Sequence, residues 1–200
     1  MRYPKEHKEE TRNKILNAAL SSFRASGYNG IGVDSIAKAA NVTSGAFYGH
    51  FNSKSEAFRM VLSEGLGILR NAIGESQRAN GNKWLGIFTG WYFSLPKPTA
   101  EPECSSLLPM QGGCALPTLS SEVPRTDEET QQLYEVEILK IVDTISDGLQ
   151  THGRTRRRLS WAIIALMIGG VVLARSARSE KTAAEISKSI LASIKQLSHQ

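Results

Sequence analysis

Between Thr43 and Lys54 the sequence Thr-Ser-Gly-Ala-Phe-Tyr-Gly-His-Phe-Asn-Ser-Lys sets a hydroxyl, a phenol, an imidazole and an ammonium within a few residues of one another. Donors of this kind beside the start of a short helix suit phosphate oxygens. An isolated Tyr-x-His pair is ordinarily two surface residues. Here Tyr48 and His50 are interleaved with Phe47 and Phe51 and followed by Lys54, so the pair reads as a gripping surface anchored from beneath.

Charge points the same way. The chain has a net charge of +5, and residues 1–60 hold nine Lys/Arg against five Asp/Glu, so four of those five charges fall at one end. A basic surplus confined to one end is the footprint of a phosphate-binding segment, although solvated surfaces also show it.

The second chemical candidate is Cys114, in Gly-Gly-Cys-Ala-Leu-Pro-Thr-Leu-Ser-Ser-Glu-Val. A thiol opening a helix has a lowered pKa and can sense electrophiles or oxidants. The plainer reading is a small buried hydrophobe. Cys104 and Cys114 stand ten residues apart with no paired His, which argues against a zinc site or a disulfide framework and favours a reducing, cytoplasmic setting. An enzyme with Cys114 as nucleophile is the rival from another class. No evident partner motif supports it: His7 lies in the N-terminal arm, His50 in the short helix, His152 in a turn and His199 in a tail. Glycine-rich phosphate loops and metal-ligand helices are missing, so neither a cofactor nor a metal is expected.

The remaining concentrations are apolar or basic. Trp84, Phe88, Trp91 and Tyr92, with Leu66, Tyr134 and Trp161 elsewhere, read first as core. With Met110 and a proline-rich stretch nearby, the same residues suit an apolar cavity between helices. Arg154, Arg156, Arg157 and Arg158 form a dense basic cluster, for which a solvated helix start is the ordinary explanation.

The elements that position these residues are all helical by periodicity. Ile15, Leu16, Ala19, Leu20 and Phe23 predict a helix over 6–26 that stops at Gly27. A second follows over 33–40, and after Asn41-Val42-Thr43 a third runs over 44–51. Ser53 and Glu56 have capping-box spacing for a long helix over 54–77 carrying Leu62, Leu66 and Leu69. A break at Asn80-Gly81-Asn82 precedes the aromatic helix, which ends before Pro96. Residues 95–113 contain four prolines and predict an irregular loop. Further helices are expected over 127–150, 155–177 and 183–197, with a short one over 115–122. No strand alternation occurs, so the fold class is all-α. The most apolar run, residues 161–174, falls short of the roughly 20 residues a bilayer span needs and reads as a buried helix. The polar start of the chain gives no secretory signal, and no membrane partner is expected.

Helix, three-residue turn, helix across 33–51 is the layout of a helix-turn-helix: Ala37 and Ala40 allow close approach, Val42 plugs the turn, and Phe47 and Phe51 anchor the second helix. The stretch Gly-Val-Asp-Ser-Ile-Ala-Lys-Ala-Ala-Asn-Val-Thr-Ser-Gly-Ala-Phe-Tyr-Gly-His-Phe-Asn-Ser-Lys-Ser-Glu-Ala-Phe, residues 32–58, resembles the signature of TetR-type repressors, over about residues 10–60. Gly32 and Asn41 depart from the usual pattern, but Gly is an acceptable helix N-cap and Asn tolerates a left-handed turn. The Cys114 segment resembles the Gly-Cys-x-x-x-x-Leu-x-x-Glu pattern of one subgroup.

The resemblance implies a double-stranded operator as partner. Thr43, Tyr48 and His50 would contact the DNA backbone and Lys54 a phosphate. Ser44, Gly45, Ala46 and Gly49 would face bases, with Val33 or Asp34 approaching the backbone or groove edge. Three of those four base-facing positions lack a polar side chain, so direct readout is thin and operator shape carries more weight. It also implies a domain boundary at 53/54, a homodimer through the last two long helices, and a small-molecule effector, apolar or aromatic in part. Leu66, Phe88, Trp91, Tyr92, Met110, Cys114, Tyr134 and Trp161 are the candidates to line its site.

Overall fold

The computed structural model describes residues 5–94 and 114–198. They form helices and no strands. Met110, Cys104 and the expected loop over 95–113 lie outside the described residues. The chain divides into two compact units, residues 1–65 with 119–135 and residues 66–118 with 136–200. The first unit therefore runs past the expected boundary at 53/54 and recruits a distant segment.

In the first unit, α1 (Lys5–Ser26) buries Ile15, Leu16, Ala19 and Phe23. It ends where expected: Gly27 takes φ +70° and its N–H donates to the Phe23 carbonyl at 2.9 Å. α2 (Val33–Ala39) and α3 (Ser44–Tyr48) are joined through Asn41, whose φ of 55° is the left-handed turn that an Asn accepts. α3 is three residues shorter than its periodicity predicts. After Tyr48 the chain tightens at Gly49, and the Phe47 carbonyl accepts from both His50 and Phe51. This brings Phe51 beside Phe47 in the core, 5.3 Å between ring centroids. α4 (Lys54–Asn80) opens with a modified capping box: Ser53 Oγ accepts from the Glu56 N–H, while Glu56 reaches back to the N–H of Asn52 rather than of Ser53.

Residues 119–135 complete this unit. The Glu122 carboxylate accepts the Tyr28 N–H at 2.8 Å, and Arg59 pairs with Asp127 and Glu129. Asp127 caps α7 (Glu128–Asp147), accepting from the Thr130 N–H at 2.8 Å and its hydroxyl at 2.7 Å.

The second unit holds most of α4, then α5 (Trp84–Ser94) and α6 (Ala115–Leu119), the rest of α7, and α8 (Gly153–Ser176) and α9 (Glu180–Ser198). α9 packs on both α8 and α5. The turn after α7 is close-packed: Trp84 Nε1 donates to the Gly148 carbonyl at 2.8 Å, and a Cβ at Gly148 would meet the side chains of Trp84 and Gln77. α8 corrects the expectation of a wholly buried helix. Leu159, Ile163, Ile164, Met167, Gly170 and Val171 face inward, while Trp161, Val172 and Leu173 are 40, 44 and 57% exposed. In length and composition α8 could cross a bilayer, but its inner face is packed within this unit.

The Asp127 cap has a measurable pH signature. Its carboxyl is held down to about 2 from an ordinary 3.8, chiefly by the Thr130 hydroxyl, against the opposing effect of burial and with smaller help from Ser55, the Thr130 amide and Arg59. A depressed carboxylate stabilises the fold above the unfolded-state value and loses that contribution as pH falls from about 4 towards 2. Asp127→Ala is expected to lower unfolding free energy by about 1 kcal/mol at neutral pH. In urea melts across that acid range, the gap from the parent protein should close.

Candidate functional site

The surface between α2 and α3 is built from small residues over an aromatic floor. Phe47 and Phe51 are buried, and Tyr48 stands 56% exposed with its ring edge-on to Phe47 at 5.5 Å. Thr43, Gly45 and Gly49 are exposed as well. Thr43 caps α3, its Oγ1 accepting from the Ala46 N–H at 3.1 Å. A hydroxyl that accepts there keeps its own proton to donate outward.

Ser44 donates to Asp34 Oδ1 at 2.6 Å, a link between the two helices that spacing alone does not reveal. With its proton so engaged, Ser44 presents lone pairs, and beside the Asp34 carboxylate it makes a small acceptor patch. Val33 and Ala46, both half-buried, flank it.

His50 is half-buried, and its Nδ1 has no hydrogen-bond partner. Partial burial, and then repulsion from Lys8 and Arg12, hold its pKa below the ordinary 6.5. The shift favours the uncharged imidazole near two cations. An incoming anion would favour its protonation.

Lys54 is placed differently from the sequence expectation. Its ammonium donates inward, to the carbonyls of Tyr28 at 2.9 Å and Ile31 at 3.2 Å, and lies 4.3 Å from the centre of the Tyr28 ring. The Tyr28 hydroxyl in turn shares a hydrogen bond with Ser55 at 2.6 Å. Lys54 thus fastens the turn between α1 and α2 to the start of α4.

The effector candidates separate. In the second unit Phe88 stacks near Tyr92, 5.9 Å between centroids, and Trp91 at 5.7 Å. Cys114 is buried, with its thiol beside the Tyr92 hydroxyl. That hydroxyl is buried with no neighbour but the Cys114 thiol to bond among the described residues, and burial, reinforced by Cys114, holds the phenol protonated well above its ordinary pKa. Leu66 is buried in the same unit. Tyr134 belongs to the first unit, where its hydroxyl donates to Ser120 at 2.9 Å, and Trp161 stands on the exposed face of α8. Arg175 is absent from the sequence-based candidates because it looks like the charged end of an apolar run. In the fold it approaches Tyr92 and Thr118. No group of three or more potential metal ligands occurs among the described residues.

A buried aromatic floor under a bare, donor-rimmed turn defines a helix-turn-helix head on an all-α body. Residues 15–60 match the family of bacterial regulatory proteins, tetR family, so the likeness in sequence is carried by this N-terminal segment. Over 55 residues it is 49% identical to the HTH-type transcriptional regulator SrpR of Pseudomonas putida, a match covering 28% of this chain and 26% of that protein. Over 60 residues it is 46% identical to AcrR of Shigella flexneri, covering 30% and 28%. The chain thus matches only about a quarter of the length of these relatives.

Beyond the head the likeness is one of fold. The reduced form of E. coli NemR superposes with a TM-score of 0.76 at 20% identity, covering 94% of this chain and 96% of that one. A TetR-family regulator from Cytophaga hutchinsonii gives 0.74 at 18%, covering all of both chains. Bacillus subtilis FadR in complex with stearoyl-CoA gives 0.64 at 18%, covering 92% and 96%.

Replacing the Lys54 ammonium tests its inward role without any ligand. Lys54→Met should cost about 1–2 kcal/mol in urea unfolding, because two carbonyls lose a charged donor. An unchanged midpoint would mean that the ammonium does not hold the turn.

Proposed function

We propose that the chain is a transcriptional repressor that binds a pseudo-palindromic DNA operator as a homodimer and is released by a small-molecule effector. The carrying observation is the surface over Phe47 and Phe51, where Thr43 and Tyr48 offer donors around an almost bare face at Gly45, Ala46 and Gly49. Backbone donors fix register while small residues let the element sit close to base edges. Thr43, Tyr48 and His50 grip phosphates; Ser44 and Asp34 face the groove as acceptors, suited to a cytosine or adenine amino group. His50 becomes charged on meeting phosphate. Such a protein works in the cytoplasm, beside the chromosome, and needs no catalytic group.

The dimer reading rests on the outer face of α8. Trp161, Ala165, Ile168 and Val172 follow one another at helical spacing, with Leu173 beside them, and leave an apolar stripe uncovered. Gly170 is consumed within the subunit, where a Cβ would stand 2.8 Å from the Phe93 ring, whereas Gly169 is open. A second copy of the same stripe is the self-complementary partner that two-fold symmetry supplies.

Phe88, Trp91, Tyr92 and Cys114 form the effector end. α6 begins at Ala115, directly after Cys114, and three residues beyond its end Glu122 grips the turn below α1. A ligand that shifts this route or the long α4 by about 1–3 kcal/mol changes operator affinity roughly 5- to 150-fold. A thiol-sensing variant of the mechanism would use the same route. With Cys114 only 1% exposed, it requires an opening that admits the oxidant.

Two measurements test this reading. In mobility-shift assays on the DNA upstream of its own gene, binding should fall steeply with salt, and Tyr48→Ala should weaken it about tenfold. Undiminished binding by that variant would remove the proposed interface. In sedimentation, Val172→Glu should yield monomers at micromolar concentration and lose operator affinity with them. A parent protein that is itself monomeric there would defeat the dimer.

A further inference from the structure

Behind the buried aromatic cluster, the second unit contains a cleft of about 170 Å³ lined by Tyr92, Phe93, Val171, Ala174, Arg175 and the first turns of α9. Among its described lining residues Tyr92, Arg175 and Ser187 are polar and the rest apolar, and none is Asp or Glu. Arg175 forms no salt bridge among the described residues, and its one side-chain hydrogen bond, to Thr118 Oγ1, is long at 3.5 Å. Tyr92, only 2% exposed, has a buried hydroxyl whose single neighbour of note among the described residues is the Cys114 thiol, a weak acceptor.

Two groups with unmet need therefore border one small space. A half-buried guanidinium without a carboxylate is costly, and so is a buried phenol without an acceptor. The Tyr92 hydroxyl stays protonated, so its proton calls for an acceptor, which Arg175, a donor only, does not supply. Ser187, also on the wall, already donates to the Ala183 carbonyl, so among the described lining side chains its lone pairs are the acceptor on offer. A carboxylate satisfies the guanidinium in a fork and the phenol with a remaining lone pair. The apolar walls then require a hydrocarbon body. An engineered cavity of about 150 Å³ holds benzene, so this cleft has room for one ring or a short chain.

We propose that this cleft is a binding site for a small organic carboxylate, its acid group held by Arg175 and Tyr92 and its apolar body against Phe93, Val171 and Ala174. This rests on the reading of the second unit as effector-binding and narrows the effector to an anionic class. Occupation would order Arg175 against Tyr92 and Thr118, hence against α6, whose continuation carries Glu122.

Benzoate serves as the probe, titrated calorimetrically into the full chain without DNA, beside its neutral counterpart benzamide and inorganic phosphate. Saturable benzoate binding is expected below about 10 mM, with benzamide and phosphate each at least about tenfold weaker. Arg175→Gln should weaken benzoate about tenfold or more, and Tyr92→Phe several-fold, with Arg175→Lys between the parent and Arg175→Gln. Circular dichroism melts establish that each variant is folded, and Arg175→Lys retains the test should Arg175→Gln fail to fold. Equal binding of benzoate and benzamide, equal binding of phosphate, unaltered benzoate affinity in a folded Arg175 variant, or no saturation at all would each overturn the proposal. Operator binding by the ligand-free protein is scored separately, so loss of the repressor reading and loss of this site give different results.

Discussion

The turn from Gly27 to Ile31 is the constraint on which the first unit depends, because α2 and α3 hang from it and nothing in its own sequence would hold it still. It is fastened from two sides. Lys54 donates to two of its carbonyls, and Glu122 accepts its Tyr28 N–H. Gly27 makes the second attachment feasible as well as ending α1, since a Cβ there would stand 2.8 Å from Glu122 Oε2. Each attachment joins a charged group to a backbone dipole, which is stronger than a neutral hydrogen bond and more costly to break when partly buried.

That arrangement accounts for where the first unit ends. A head closed at residue 53 would contain neither cation nor carboxylate for the turn. The structure takes the cation from α4 and the carboxylate from a segment more than 90 positions away in the chain. Because Glu122 follows α6 so closely, the proposed effector end and the turn are separated by eight residues of chain from Cys114. A short covalent path of this kind needs no long relay of side chains to transmit a change.

Local signals in the sequence reached most of the helices. Gly27, Asn41, Ser53 and Glu56 carry their information in one or two residues, and each lies at or beside the break it predicts. α3 ends earlier than its apolar pattern suggests because Phe51 can fill the same core from a tightened turn, and periodicity registers only that it points inward. The aromatic cluster of α5 was equally legible, as spacing within one helix. Its separation from Tyr134 and Trp161 was not, since which residues meet across helices is decided by packing. Glu122 gripping a backbone N–H and Lys54 turned inward are likewise tertiary facts.

Arg175 illustrates the limit most sharply. In the sequence it closes an apolar run, where a cation in the last turn of α8 is favoured by the helix dipole and needs no further explanation. That local account is correct and incomplete. The same position brings the guanidinium to a buried phenol from α5 whose neighbour is the Cys114 thiol, in a cleft with no carboxylate among its described lining residues. Local propensity can justify the charge but not its lack of an anionic partner among the described residues, and that lack underlies the preference proposed for the cleft.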